Sequence, residues 1–296
     1  MIDIERIKFI LPRLRFEFTW QAFFLLLLTN LAMSIRWSLL LQKFNMQQPI
    51  LESLRYYLIG GFYGTVLPGL IGSDVVRLSL SSKQSSKSKA LLTISILFER
   101  SCGIMVLLMM AATTAMFVPI LLDGDQIIAN VISWLAITIF ILLALFLGII
   151  KIGPDRWFTF SREKYSWKKK ISILLGNFRS LTLCMLFFII LLSFIAHLFD
   201  ILGTFFLAKA LNIEQSFSIF LLLMPIVYVL TILPISIGGI GMREGALTFF
   251  LVKAGVLASD AILLAFVIYF NRVLVGLVGG LIQLYDKNQQ YEVNRI

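Results

Sequence analysis

The chain has 296 residues, of which 59% are hydrophobic and only 14% are charged, and its mean hydropathy is +0.93. Soluble proteins are about 45–50% apolar and about 25% charged, so a soluble domain is excluded, because its surface would have to be largely apolar. The net charge of +10 does not indicate a nucleic-acid partner, since Lys and Arg gather in short segments between apolar stretches, as in the cytoplasmic loops of membrane proteins.

Seven stretches are long and apolar enough to cross a membrane as helices, which takes roughly 20 residues. In chain order they are Phe18–Leu41, Ser53–Ile71, Ala90–Leu122, Gln126–Ile150, Leu181–Ala208, Gln215–Ile237 and Leu257–Tyr285. An eighth apolar piece, Glu244–Gly255, is too short to cross alone and is predicted to be a half-helix or part of a broken span. The sequence therefore predicts a single all-α, polytopic membrane domain over residues 1–296, with seven or eight transmembrane helices.

Basic residues are unevenly distributed between these stretches. They are frequent in the segment 1–17, in the loop after the second stretch (with Ser81–Lys89 as its polar, flexible part) and in the loop 151–180. The alternate loops carry few, and the short tail 286–296 is nearly balanced. Because cytoplasmic loops are enriched in Lys and Arg, the amino terminus and both basic loops are predicted to lie in the cytoplasm. We expect an integral protein of the plasma (inner) membrane whose first stretch is an uncleaved span.

Two motifs of similar composition interrupt the apolar stretches. The first joins Leu67-Pro68-Gly69 to Gly72-Ser73-Asp74 and Arg77, and the second joins Leu233-Pro234 and Gly238-Gly239-Ile240-Gly241 to Arg243-Glu244-Gly245. Proline lacks a backbone donor and glycine tolerates unwinding, so interrupted or re-entrant helices are predicted at Pro68, Gly69, Gly72, Pro234, Gly238, Gly239 and Gly241. Paired interruptions in the two halves of a membrane chain are typical of transporter binding sites, and exposed helix ends suit anionic headgroups. The alternative is two ordinary helix-to-loop turns at the membrane surface.

Charged residues in or beside the apolar stretches are candidates for such a site, because an ionisable group in a membrane is costly unless it is paired or hydrated. Arginine binds phosphate through two parallel hydrogen bonds, and the candidates for headgroup contact are Arg77, Arg100, Arg243 and Arg272. The acids predicted to hold these arginines in place are Asp74, Glu99 and Glu244. Arg36 is a further charge deep in the first stretch. A structural network of salt bridges is the other interpretation, and both can hold together.

His197 and Asp200 lie three residues apart and therefore share a helix face. Such a pair could relay a proton and couple transport to a proton gradient, or His197 could simply donate a hydrogen bond to Asp200 near the outer interface. Five aromatic residues are interpreted as interface anchors or packing residues: Tyr56, Tyr57, Trp134, Tyr269 and Tyr285. One histidine and two cysteines do not make a conventional zinc site, so no metal and no cofactor is predicted.

The two motifs, with Glu99-Arg100 between them, resemble the lysylphosphatidylglycerol synthase transmembrane family over nearly the whole chain. The pattern departs from the family at Ser73, where a second glycine is usual. The resemblance implies a flippase-like transporter that moves an anionic phospholipid or a lipid-linked precursor between leaflets. In two-part members a soluble aminoacyl-transferase domain follows the membrane domain. Because only residues 286–296 follow the last predicted span, we expect the membrane half alone, without enzyme activity.

Two other functions remain open from the sequence. One is an intramembrane enzyme of lipid or polyprenyl-linked glycan synthesis, with Asp74, Glu99 or Glu244 as acid or base. The other is a non-transporting scaffold that recruits a soluble partner through the basic run Lys164–Lys170. The expected partners are membrane lipids, anionic ones in particular, and no nucleic acid. A second copy of the chain or a separate soluble lipid-modifying enzyme is a further candidate partner.

Overall fold

The part of the chain that the structure describes is helical. The computed structural model describes residues 15–66, 71–83, 89–115, 181–232 and 241–293, with isolated helical positions between 130 and 148. These residues contain no strand, which confirms the predicted all-α class. The bounded helices are α1 (Phe16–Lys43), α2 (Ile50–Val66), α3 (Ile71–Lys83), α4 (Lys89–Ala115), α5 (Leu183–Ala210), α6 (Phe217–Ile232), α7 (Met242–Lys253) and α8 (Ala258–Val293).

Four of these helices, α1, α4, α5 and α8, are long and apolar enough to cross a membrane. They correspond to the first, third, fifth and seventh predicted stretches. The described parts of α2 (17 residues) and α6 (16 residues) extend to Val66 and Ile232, and residues 67–70 and 233–240, which follow them, lie outside the described residues. The short eighth piece is a separate helix, α7, of 12 residues. The predicted span Gln126–Ile150 and the loop 151–180 lie almost entirely outside the described residues, so the number of crossings stays a prediction.

Three helices end in the same way, through a residue in the left-handed region. Asn45 after α1 and Asn212 after α5 have φ 56°, and Gly255 after α7 has φ 86°. At each site the next N–H bonds a carbonyl five residues back, at 2.9 Å: Met46 to Leu41, Ile213 to Ala208 and Val256 to Leu251. Asparagine and glycine are the residues that tolerate this conformation, so these three stops are local properties of the sequence.

The prediction of a loop after the second stretch is wrong for residues 71–83, because these residues form helix α3. Arg77 is buried, and Leu78 and Leu80 pack against the neighbouring apolar core. An apolar stripe on an otherwise polar segment is what an amphipathic helix requires. Gly72, predicted as part of the break, lies in the first turn of α3.

Two apolar cores hold the helices together. The larger joins α4, α5, α6, α7 and α8, with Phe220, Leu247 and Leu264 fully buried in it. The smaller joins α1, α2, α4 and the start of α5 around Trp37. A third contact links α2 to α8, where Gly279 lies directly against the Leu58 backbone. Small residues let membrane helices approach this closely, and the contact holds α2 beside the middle of α8.

Candidate functional site

A buried carboxylate, Glu99 on α4, joins five helices. Its Oε1 accepts hydrogen bonds from Arg36 on α1 (Nη2, 2.8 Å; Nε, 3.2 Å) and from the Tyr57 hydroxyl on α2. Its Oε2 accepts from Nη2 of Arg77 on α3 at 2.8 Å. Arg36 also donates from Nη1 to Ser193 Oγ on α5, at 2.6 Å. Arg36, Tyr57, Arg77 and Glu99 are called the Glu99 cluster below.

Within this cluster the Arg77 guanidinium contacts two aromatic rings, those of Tyr57 and Trp37. Its Cζ lies 3.7 Å from the centre of the Tyr57 ring and 4.4 Å from that of Trp37, so each ring attracts the cation. Arg77 is only 5% exposed. Because it binds a buried acid and contacts two aromatic rings, Arg77 anchors α3 to the bundle. Headgroup contact by Arg77 stays a prediction, and it would require the cluster to open.

Asp74, on the first turn of α3, lies between Arg77 and Arg100. Its Oδ2 is 2.6 Å from Nη2 of Arg100, and its Oδ1 is 3.4 Å from Nη1 of Arg77. Unlike Arg77, the Arg100 side chain reaches the surface, with 32% of its area exposed. The Asp74 carboxylate therefore connects the buried Glu99 cluster to an arginine at the protein surface.

The second motif leads directly into helix α7. Gly241 has φ 90°, a conformation that favours glycine, and its N–H donates to Glu244 Oε2 at 2.6 Å. The other oxygen, Oε1, accepts from Nη2 of Arg243 at 2.8 Å. Glu244 thus caps the start of α7 and orients Arg243 at the same time. Arg243 is 5% exposed, and its Nε has no hydrogen-bond partner among the described residues.

Tyr269 on α8 contacts the flank of each interruption. Its hydroxyl donates to the Thr65 carbonyl at 3.3 Å, next to the last described residue of α2. Its ring lies 5.7 Å from Cζ of Arg243, the second residue of α7. A single side chain therefore connects the helix end before the first interruption with the helix start after the second.

Arg272 lies one turn beyond Tyr269 and faces the same region. Its Nη2 is 2.9 Å from Asp200 Oδ2 on α5, and its Cζ is 5.8 Å from the centre of the Tyr228 ring on α6. Arg243 lies 5.7 Å from the ring of Tyr269, one turn away, so the two positive charges lie in the same part of the bundle. Arg243 and Arg272, called the arginine pair below, are thus two neighbouring cations with one acidic partner each, Glu244 and Asp200. The Arg272 side chain is 34% exposed, so the pair is open on this side.

A small polar cavity adjoins the Arg272–Asp200 salt bridge. It measures about 10 Å³, which is room for one water molecule, and Asp200, Thr204, Asn271 and Arg272 contribute its polar lining. Asn271 is 5% exposed, and its Oδ1 has no partner within the described part of the chain. His197 does not bond Asp200, because its Nε2 lies 3.1 Å from the Gly103 carbonyl on α4. The two members of the predicted relay therefore have separate partners.

The structure divides the four predicted arginines into two groups. Arg77 and Arg100 lie at the Glu99 cluster, whereas Arg243 and Arg272 form the arginine pair beside Tyr269. Of the residues predicted to break helices, Pro68, Gly69, Pro234, Gly238 and Gly239 lie outside the described residues.

Sequence reasoning missed the central roles of two residues. The sequence shows Arg36 as a charge inside a predicted span, which indicates that it has a buried partner. It does not indicate that this partner is Glu99. Tyrosine is a residue type typical of the membrane interface, and no local sequence pattern distinguishes Tyr269 from an interface anchor. Only the packing of α8 against α2 and α7 reveals its position.

Apolar helices of membrane-spanning length, with ion pairs buried between them, define an integral membrane protein. Residues 1–280 match the family described as "Lysylphosphatidylglycerol synthase TM region", and the chain belongs to this family through its membrane region. The family connects the protein with lipid metabolism or transport. Comparison with curated proteins and comparison with solved structures gave no match.

Proposed function

We propose that this protein moves an anionic phospholipid, or another lipid-linked anionic precursor, from one membrane leaflet to the other. The observation that carries the proposal is the meeting of the two interruption flanks at Tyr269, next to the arginine pair. Family membership supports a lipid as the substrate.

The arginine pair suits a phosphate better than a neutral headgroup. Arg243 lies 5.7 Å from the Tyr269 ring and Arg272 lies one helical turn after Tyr269, so an anion bound beside Tyr269 is attracted by two positive charges. The Nε of Arg243 has no hydrogen-bond partner among the described residues, and together with a terminal nitrogen it forms the two-pronged donor face that binds phosphate oxygens. A zwitterionic headgroup would bring a cation into the same positive region, so an anionic lipid is favoured.

The apolar surface of the bundle is compatible with acyl chains that stay in the bilayer while the headgroup crosses. Large apolar side chains are exposed along the spanning helices, among them Phe24 on α1, Phe187 on α5 and Phe266 and Phe270 on α8. Phe266 and Phe270 flank Tyr269 on the same helix, so lipid-facing surface lies beside the polar site. A lipid could therefore present its headgroup to the arginine pair without leaving the membrane.

The test is leaflet transfer in proteoliposomes of the purified protein. Fluorescent phosphatidylglycerol, or phosphatidylcholine as the zwitterionic control, is bleached from outside by a membrane-impermeant reductant. We expect bleaching beyond the outer-leaflet share for phosphatidylglycerol and a smaller excess for phosphatidylcholine. Bleaching that stops at the outer leaflet for both lipids would overturn the proposal.

The variant Arg243→Lys tests the site itself. Lysine keeps the charge but loses the planar fork, so we expect at least about tenfold slower transfer, the loss of roughly one charge-assisted hydrogen bond. The matched control is Arg15→Lys, the same change at an exposed arginine, which should leave transfer unchanged. A wild-type rate of lipid transfer in Arg243→Lys would show that Arg243 does not bind the headgroup.

A further inference from the structure

We propose that Asp200 is a proton-binding site coupled to the anion, so that each anionic headgroup bound at Arg272 is accompanied by a proton bound at Asp200. This inference rests on the proposed function and adds a second substrate, the proton. It departs from the His197–Asp200 relay predicted from the sequence, because the partner of Asp200 is Arg272.

The first step of the argument is competition for one guanidinium. Arg272 donates from Nη2 to Asp200 Oδ2 at 2.9 Å, and both residues lie within apolar helices long enough to cross a membrane. A phosphate binds arginine best through two parallel N–H donors. The Nε of Arg272 has no partner among the described residues, and a headgroup that binds Nε and Nη2 together displaces the Asp200 carboxylate from its salt bridge.

The second step is the fate of the displaced carboxylate. Arg272 is the one cation in salt-bridge distance of Asp200 among the described residues. The other groups facing it are the neutral Tyr228 on α6 and, one turn earlier on its own helix, His197, which the Gly103 carbonyl of α4 holds.

Helix α1 presents only the apolar Ala22 and Leu26 to this region. A carboxylate that has lost its counter-ion between membrane-spanning helices, with room for only about one water molecule beside it, binds a proton instead of remaining charged, because hydration by that single water does not offset the cost of the buried anion. Displacement of Asp200 from Arg272 therefore leads to proton uptake at Asp200.

The third step is access for the proton. The cavity beside the salt bridge holds about one water molecule and is lined by Asp200 and Asn271. The buried Asn271 Oδ1, which lacks a donor among the described residues, is an acceptor for that water. A water held there lies next to the carboxylate and can pass a proton to it.

The exchange is balanced in charge. A proton from water forms a bond to a carboxylate oxygen of Asp200, the Arg272–Asp200 ion pair breaks, and an Arg272–phosphate ion pair forms. The site gains one negative charge from the phosphodiester and one positive charge from the proton. Binding therefore adds no net charge to the membrane interior, which avoids the cost of burying an isolated ion.

The test is calorimetric titration of purified protein in detergent with short-chain phosphatidylglycerol. Runs in two buffers of different ionisation enthalpy yield the number of protons taken up. We expect about one proton per bound lipid in the wild type, and hence an affinity that weakens by up to about tenfold per pH unit as pH rises. In Asp200→Asn, which mimics the protonated acid, binding should persist, proton uptake should vanish and the affinity should no longer depend on pH.

Two further variants identify the group that binds the proton. His197→Gln and Asp260→Asn, the second on the first turn of α8, should both keep proton uptake. Uptake that is lost in His197→Gln, or retained in Asp200→Asn, would place the proton elsewhere and overturn the inference. If Asp200→Asn does not fold, Asp200→Glu should restore the proton count and the pH dependence together.

The outcomes separate this inference from the function on which it rests. Binding of phosphatidylglycerol that depends on Arg243 but takes up no proton refutes the coupling and leaves the proposed function standing. If phosphatidylglycerol does not bind, or binds Arg243→Lys as tightly as the wild type, the proposed headgroup site is refuted, and the proposed proton site is refuted with it.

Discussion

Replacing Gly279 by alanine is predicted to force helix α8 away from helix α2. A Cβ at this position would lie 2.0 Å from the Leu58 carbonyl oxygen and 2.2 Å from its carbon, whereas ordinary contact begins at 3.4 Å. The atoms opposite are backbone, so no side chain can rotate away, and the helices must separate by about 1 Å or more. Overpacking of this kind costs about 1–3 kcal/mol, and we expect the upper end of that range because two helices have to move.

The matched control is Gly61→Ala on α2. Nothing lies within 4 Å of a Cβ built there, and alanine favours a helix over glycine by about 0.5–1 kcal/mol. Thermal unfolding in detergent, followed by the loss of the monodisperse peak in size-exclusion chromatography, should show a lower Tm for Gly279→Ala and an unchanged or higher Tm for Gly61→Ala. The reasoning is refuted if Gly279→Ala is as stable as the wild type, or if the two variants lose the same stability.

Two other predictions concern the Glu99 cluster and the orientation of the chain. Glu99→Gln leaves Arg36 and Arg77 without a buried counter-charge, so we expect thermal unfolding to show a loss of stability of about 3–5 kcal/mol. The control Glu214→Gln, at an exposed carboxylate, should leave the Tm unchanged. Equal Tm values for the two variants would contradict the structural role of Glu99. Cys184 is exposed near the start of α5, directly after the basic loop, whereas Cys102 is buried. If that loop is cytoplasmic, a membrane-impermeant maleimide should label the wild-type protein in inside-out vesicles only. The control Cys184→Ser should not be labelled in either kind of vesicle. Labelling of right-side-out vesicles would reverse the predicted orientation.

The division into two arginine groups could not be predicted from sequence spacing. Glu99 and Arg100 are neighbours in the chain, yet Glu99 pairs with Arg36, 63 residues away, and Arg100 pairs with Asp74. Adjacent residues on a helix point about 100° apart, so their partners come from different neighbouring helices. The sequence could identify which charges need a partner, because a charge in an apolar span is costly wherever it lies, but the choice of partner depends on which helix faces which.

Membrane class and helical content were determined by the sequence itself. Each is a local property: hydropathy over roughly 20 residues decides insertion, and backbone groups in lipid must bond within their own helix. Helix α3 could not be predicted in this way, because its sequence is largely polar. It packs into the bundle through the contacts of Arg77 with Glu99 and with two aromatic rings. The meeting of both interruption flanks at Tyr269 likewise depends on tertiary structure. It requires the close approach of α8 to α2 at Gly279, a contact between residues more than 200 positions apart in the chain that no local pattern encodes.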